Sequence, residues 1–285
     1  MTTPIGILVI HGMGKQEPGF SQEIQEEITD RLGGNAGRFV WQEVFWGHAL
    51  QVRENKLWED MARAREPDGS RIPLDWQSIR EFVVHNFGDA LAYHRDQGKD
   101  SAYVKIHEIV SQKISELKAA LADPAAPVVV MAHSLGAHIM SNYLWDQQAK
   151  NAAAAGLEDL PTLAAMITFG CNIPLFSLAF DKATPIDVPG NGVKKPALIA
   201  ASRWLNFVDR DDVRGWPLRP IYEHSGATLN AAEKRTIDRL EDYEINVGGL
   251  VTAWNPVAHG AYWTDDDFTQ PVTDYLLKLV HAADA

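Results

Sequence analysis

Cysteine is almost missing from this chain. Cys171 is the single one in 285 residues, so no internal disulfide can form and nothing in the composition indicates an oxidising compartment. Basic charge is also scarce: 26 Lys and Arg face 38 Asp and Glu, a formal net charge of -12. No clustered basic face is visible, which argues against a nucleic-acid partner, since phosphate binding requires one. Long apolar runs are absent too, none being long enough to cross a bilayer. The first residues, 1–4, carry no basic segment and no small-residue cleavage site, so no signal peptide is expected and the expected location is cytoplasmic. There is no internal repeat and no low-complexity tract.

What remains is the composition of a globular protein, with 46% hydrophobic and 22% charged residues and ample material for a core. The length suits one α/β domain spanning residues 1–285 with an insertion. IGILVI, residues 5–10, is a short continuous apolar run rich in branched side chains, as expected of a strand buried on both faces of a parallel sheet. Ile24, Ile28 and Leu32 recur at every fourth position and predict a helix over 21–32, closed by Gly33 and Gly34. Residues 39–46 read as a second strand.

Between 47 and 122 no strand is expected but three helical stretches are. The second carries Trp76, Ile79, Val83, Phe87, Ala90 and Leu91, and the third Tyr103, Ile106, Val110, Ile114, Leu117 and Leu121, both at three-and-four spacing that predicts a core-facing stripe. Further strands are predicted at 128–132, 163–169, 197–208 and 243–247, helices at 136–150 and 266–280, and a loop at 184–196. Strands alternating with helices imply a mostly parallel central sheet covered on both faces, with ligands bound at the carboxyl ends of its strands.

Two stretches at such strand ends can carry chemistry. In MAHSLGAH, residues 131–138, Ser134 sits where a strand gives way to a helix, with small residues two before and two after it. That pattern lets a tight turn present a nucleophile, and the helix start beside it offers backbone N–H groups and a positive dipole end to a developing oxyanion. In VIHGMGKQ, residues 9–16, a His-Gly-x-Gly run places flexible backbone just after the first strand.

Together these residues resemble the α/β-hydrolase superfamily, particularly its lipase-like and esterase-like branch. The resemblance implies an α/β-hydrolase fold with reduced N-terminal strands and a serine hydrolase activity needing no metal or organic cofactor. It implies that Met13 and Leu135 donate backbone N–H groups to an oxyanion hole, with His11, Gly12 and Gly14 supporting that loop. The triad of the family runs in the order serine, acid, histidine. By likeness to the lipase acid segment, RWLNFVDRDDVRGWPL, residues 203–218, offers Asp211 as the acid, with Asp209 and Asp212 as competitors. WNPVAHGAYW, residues 254–263, offers His259 as the base. The expected substrate is a small-molecule or lipid-like ester or related acyl compound.

Plainer readings stand beside these. Ser134 could be an ordinary N-cap and His259 a surface loop residue. His133 and His138 lack the same-face spacing of metal-binding helices, Asp265 to Asp267 read as a helix start rather than a calcium site, and Cys171 reads as a buried strand-end residue. Trp58 and Trp76 read as core before they read as lining of an acyl pocket, and residues 47–122 as at least part of a pocket roof, or lid. The same residues also suit acyl transfer to an acceptor other than water, or a catalytically silent scaffold binding a small molecule or protein. Chain length of the acyl group, leaving group and oligomeric state are left open.

Overall fold

Six short strands build the sheet: β1 (Ile5–Ile10), β2 (Phe39–Val44), β3 (Val128–His133), β4 (Leu163–Phe169), β5 (Trp204–Asp209) and β6 (Leu240–Ile245). They lie in the order β2-β1-β3-β4-β5-β6 and every pairing is parallel. This is a computed structural model of the chain, and it describes residues 2–94, 98, 100–224, 226, 228–248 and 258–285.

The α/β class follows directly from side-chain alternation. On β1 and β3, Leu8, Ile10, Val128, Val130 and Ala132 join one buried cluster, while Ile5, Ile7, Val9, Val129 and Met131 join another. A strand whose alternate side chains feed two cores must be covered on both faces. Helices Ala102–Leu121 and Leu135–Gln148 pack into the first cluster. Helices Gln22–Leu32 and Asp266–Asp284 pack into the second. Gly6 makes room for the first of these helices, since a Cβ there would meet Leu121 Cδ1 at 2.9 Å.

The chain winds outward from β1 to β2 and then returns to add β3 on the other side of β1. The crevice at such a reversal, beyond the carboxyl ends of the strands, is where open parallel sheets bind ligands. The loop after β1 and the turn after β3 both open there.

Three expectations need correction. Residues 197–208 were expected as one strand, but Pro196–Ala201 is a helix and only Trp204–Asp209 is extended. Pro196 occupies the first helical turn, where its fixed φ suits a helix, and the alanines after it favour one. The last strand starts at Leu240, three residues before the expected 243, because helix Ala231–Arg239 directly precedes it. That helix, opened by a capping box of Asn230 and Glu233, was not anticipated, although Asn followed three residues later by Glu is its signature.

The third correction concerns the second helix of the 47–122 stretch, Gln77–Ala92. Its apolar stripe faces outward: Trp76 before it and Leu91 within it are 75% and 77% exposed, and Ile79, Val83 and Phe87 are exposed as well. Its buried residues are His85 and Asp89. Trp58, expected in the core, is half-buried. The third helix, Ala102–Leu121, buries its stripe as expected. Among the described residues no helix is long and apolar enough to cross a membrane.

Candidate active site

β3 ends at His133 and the next helix begins at Leu135, so the whole change of direction falls on Ser134. Its φ is 51° and ψ is -123°, a region that L side chains rarely adopt and that costs about 1–3 kcal/mol. Neighbouring backbone holds it there. Its N–H donates to Phe169 O at 3.0 Å, and Gly12 abuts it so closely that a Cβ on Gly12 would lie 2.6 Å from Ser134 Cβ. Gly136, two residues on, faces His11 O, where a Cβ would lie 2.5 Å away. The small residue at that place therefore lets the new helix start against the end of β1.

Ser134 occupies the N-cap position, yet its side chain makes no capping hydrogen bond. The hydroxyl instead meets His259 Nε2 at 2.6 Å, and His259 Nδ1 meets Asp212 Oδ2 at 2.7 Å. A carboxylate can only accept, so Nδ1 carries the proton, and Nε2 then accepts from the serine hydroxyl. All three residues are buried, Ser134 to 1% exposure. Burial lowers the His259 pKa below the ordinary histidine value, outweighing the Asp212 carboxylate that raises it. For Asp212, burial pushes upward, but the bond from His259, its charge and the Arg214 backbone N–H together hold the carboxyl below its usual range.

Of the candidate acids, Asp212 rather than Asp211 reaches the imidazole. The reason lies in the turn after β5. Asp209 accepts the N–H of Asp211 at 2.6 Å and of Val247 at 2.5 Å on its two carboxylate oxygens, and Asp212 N–H donates back to Asp209 O at 3.2 Å. Asp209 thus folds the turn, and Asp212, three residues on, comes back over the end of the sheet. Its second oxygen accepts the Arg214 N–H at 3.0 Å. Gly170 and Gly215 leave the space for this pair: a Cβ on Gly170 would meet His259 Cε1 at 2.9 Å, and one on Gly215 would meet Asp212 Oδ2 at 2.7 Å.

Two further side chains hold the pair in place and were not anticipated. Tyr262 donates its hydroxyl to Asp212 Oδ2 at 3.2 Å and accepts the Asp209 N–H at 2.9 Å. It follows His259 by three residues on the same short helical stretch, a spacing that puts both on one side. His133 Nε2 donates to the His259 carbonyl oxygen at 2.8 Å, and burial keeps its ring far below the ordinary pKa, hence neutral. No pattern in the sequence joins these two positions. The part of the expected histidine loop at residues 254–257 lies outside the described residues.

The loop after β1 is held at its start by His11. The His11 ring is buried and stacks on Trp46 at 4.8 Å, and burial lowers its pKa to about 4. Its Nδ1–H donates to Gly12 O at 2.8 Å, while Nε2 accepts the N–H groups of Trp46 and Gly47 at 3.1 and 3.2 Å. Trp46 Nε1 donates to His11 O at 2.9 Å. Because C=O and N–H of a trans peptide point opposite ways, a ring that takes the Gly12 carbonyl also sets the direction of the Met13 N–H. Gly14, with φ of 95°, closes the run. Leu135 is the first residue of the helix after Ser134, where N–H groups have no partner within the helix.

His138 stays apart from this arrangement, stacked on Phe176 at 4.1 Å and paired with Asn142. Cys171, buried just past β4, has its thiol pushed up to about 12 by burial, which leaves it a poor nucleophile.

Among solved structures the chain is similar to a novel cutinase-like protein from Cryptococcus sp., with 10% sequence identity and a TM-score of 0.43, over 97% of this chain and 95% of that one. No protein-family model matches the chain, and no curated protein matches it either.

Proposed function

We propose that the protein is a serine hydrolase of the α/β-hydrolase kind, cleaving a carboxylic ester or a related acyl bond such as a thioester. The observation that carries this reading is the unbroken hydrogen-bonded line from Ser134 through His259 to Asp212. It starts at a serine with positive φ whose hydroxyl is not spent on capping. An ordinary N-cap serine needs neither feature.

In this reading Ser134 Oγ attacks the substrate carbonyl carbon while its proton passes to His259 Nε2. Asp212 keeps Nδ1 protonated and stabilises the imidazolium without taking its proton. The Met13 and Leu135 N–H groups receive the oxyanion, each such donor being worth about 3 kcal/mol. Collapse expels the alcohol or thiol, which takes the proton from His259. Water then attacks the acyl-serine by the same route and releases the acid. A His259 pKa lowered by burial leaves the ring neutral, and so able to accept a proton, near pH 7. Helices His48–Ala62 and Gln77–Ala92 hold residues 14–16 of the loop after β1 through Asp89, Glu81 and Gln51, which suits a roof over the substrate.

The test is covalent labelling with a fluorophosphonate probe beside turnover of p-nitrophenyl esters of increasing chain length. Wild-type protein is expected to label and to turn over. Ser134→Ala is expected to lose both, and His259→Ala to lose at least a thousandfold in kcat. A well-folded wild-type protein that neither labels nor hydrolyses would replace this reading with a silent scaffold. Product analysis with an added alcohol separates hydrolysis from acyl transfer.

A further inference from the structure

Helix Gln77–Ala92 is turned the wrong way round for an amphipathic helix. It leaves Ile79, Val83, Phe87 and Leu91 in solvent and buries His85 and Asp89. Facing them, helix His48–Ala62 buries Glu54, which accepts from His85 Nδ1 at 3.2 Å. Putting three ionisable side chains inside while apolar ones stay out is costly on both counts, so the arrangement calls for something those polar groups accomplish.

Asp89 shows what that is. Its Oδ2 accepts the Gly14 N–H at 2.9 Å, across 75 residues of sequence. Gly14 runs close against the same helix, a Cβ there lying 3.0 Å from Asn86 Oδ1, and its φ of 95° is one that side chains rarely adopt. The next two residues are held by the same helix pair: Lys15 by Glu81 at 3.1 Å, and the Gln16 carbonyl by Gln51 Nε2 at 3.1 Å. At the other end of the loop, His11 holds the Gly12 carbonyl. Met13 is therefore the one residue between two clamps, one on the peptide before it and one on the peptide after it.

We infer that Asp89 is a positioning residue, which fixes the Met13–Gly14 peptide and thereby keeps the Met13 N–H aimed at the oxyanion. This deepens the proposed function and rests on it. The charged and titratable groups around Asp89 are Glu54, Glu81, His85 and Lys15. Burial, followed by the charge of Glu54, pushes the Asp89 carboxyl up to about 8. A carboxyl that is neutral at pH 7 still accepts from Gly14 through its carbonyl oxygen, and an asparagine amide oxygen copies that acceptor.

Asp89→Ala is expected to lower kcat on p-nitrophenyl esters ten- to a hundredfold with KM within twofold, the pattern of an interaction that matters in the transition state. Asp89→Asn is expected to restore kcat to within threefold of wild type, and Leu91→Gln on the outer face of the same helix to leave it unchanged. The Gly14 amide, followed by hydrogen exchange in the wild-type protein, is expected to be protected at least a hundredfold. That readout depends neither on turnover nor on whether Asp89→Ala folds. A folded Asp89→Ala with wild-type kcat, or a Gly14 amide exchanging as fast as an open loop, overturns the inference. Failure of the wild-type protein to label or turn over sinks the hydrolase reading instead, so the two failures are distinct.

Discussion

Asp211 and Asp212 are chemically identical neighbours, and the turn assigns them different surroundings. Asp212 is buried against the imidazole, whereas Asp211 is half-buried and gives its N–H to Asp209. Asp212→Asn is expected to lower kcat about 10⁴-fold, because an amide facing Nδ1 favours the wrong histidine tautomer. Asp211→Asn is expected to stay within twofold, and steady-state kinetics on one ester separates them. At this scale the meeting of Ser134 and His259 was legible, each standing in a short pattern with a physical reason. The carboxylate that meets the ring is not the favoured Asp211 but its competitor Asp212. Three aspartates within four residues give periodicity nothing to choose by, and the choice is made by Asp209 folding the turn, a hydrogen bond that no local pattern announces.

Among the elements, buried strands were the easiest to read, since continuous branched apolar runs such as Ile5–Ile10 suit little else. The segment from 197 to 208 misled because Ala-Leu-Ile-Ala-Ala is apolar enough for either state, and Pro196 decided it. Helix Gln77–Ala92 misled for a different reason. Its three-and-four spacing was real, but spacing reports a stripe and not the direction in which it faces. Leu91→Gln is accordingly expected to change stability by less than about 0.5 kcal/mol. Ile106→Ala, in the fully buried stripe of helix Ala102–Leu121, is expected to cost about 2–5 kcal/mol. Urea denaturation of both variants provides the check, and a large loss from Leu91→Gln would mean that the outer face is covered after all.

The molecule as a whole buries histidines that stay neutral: His11, His133 and His138, with His11 lowered to about 4 and His138 to about 3. The sign of the consequence is fixed. Below pH 6.5 the unfolded chain takes up protons that the folded chain refuses, so stability falls with pH, by about 1.4 kcal/mol per pH unit for each such group until its folded pKa is reached. Asp212, with its pKa held down in the fold, adds to the same loss at lower pH. Thermal unfolding followed from pH 7 to pH 4 is expected to show a steep and continuous drop in melting temperature. Asp89, raised to about 8 in the fold, works the other way and offsets about one of the three losses over this range, leaving a net fall. A flat profile would mean that the three rings do not stay neutral in the fold.

His133 is bonded through the main chain to Ser134 and through its ring to the carbonyl of His259. Ser134 and His259 are thus tethered twice, once through the hydroxyl and once behind it. Displacing the His259 main chain therefore pulls on the residue next to Ser134. The spacing of hydroxyl and imidazole is thereby guarded by two hydrogen bonds rather than one.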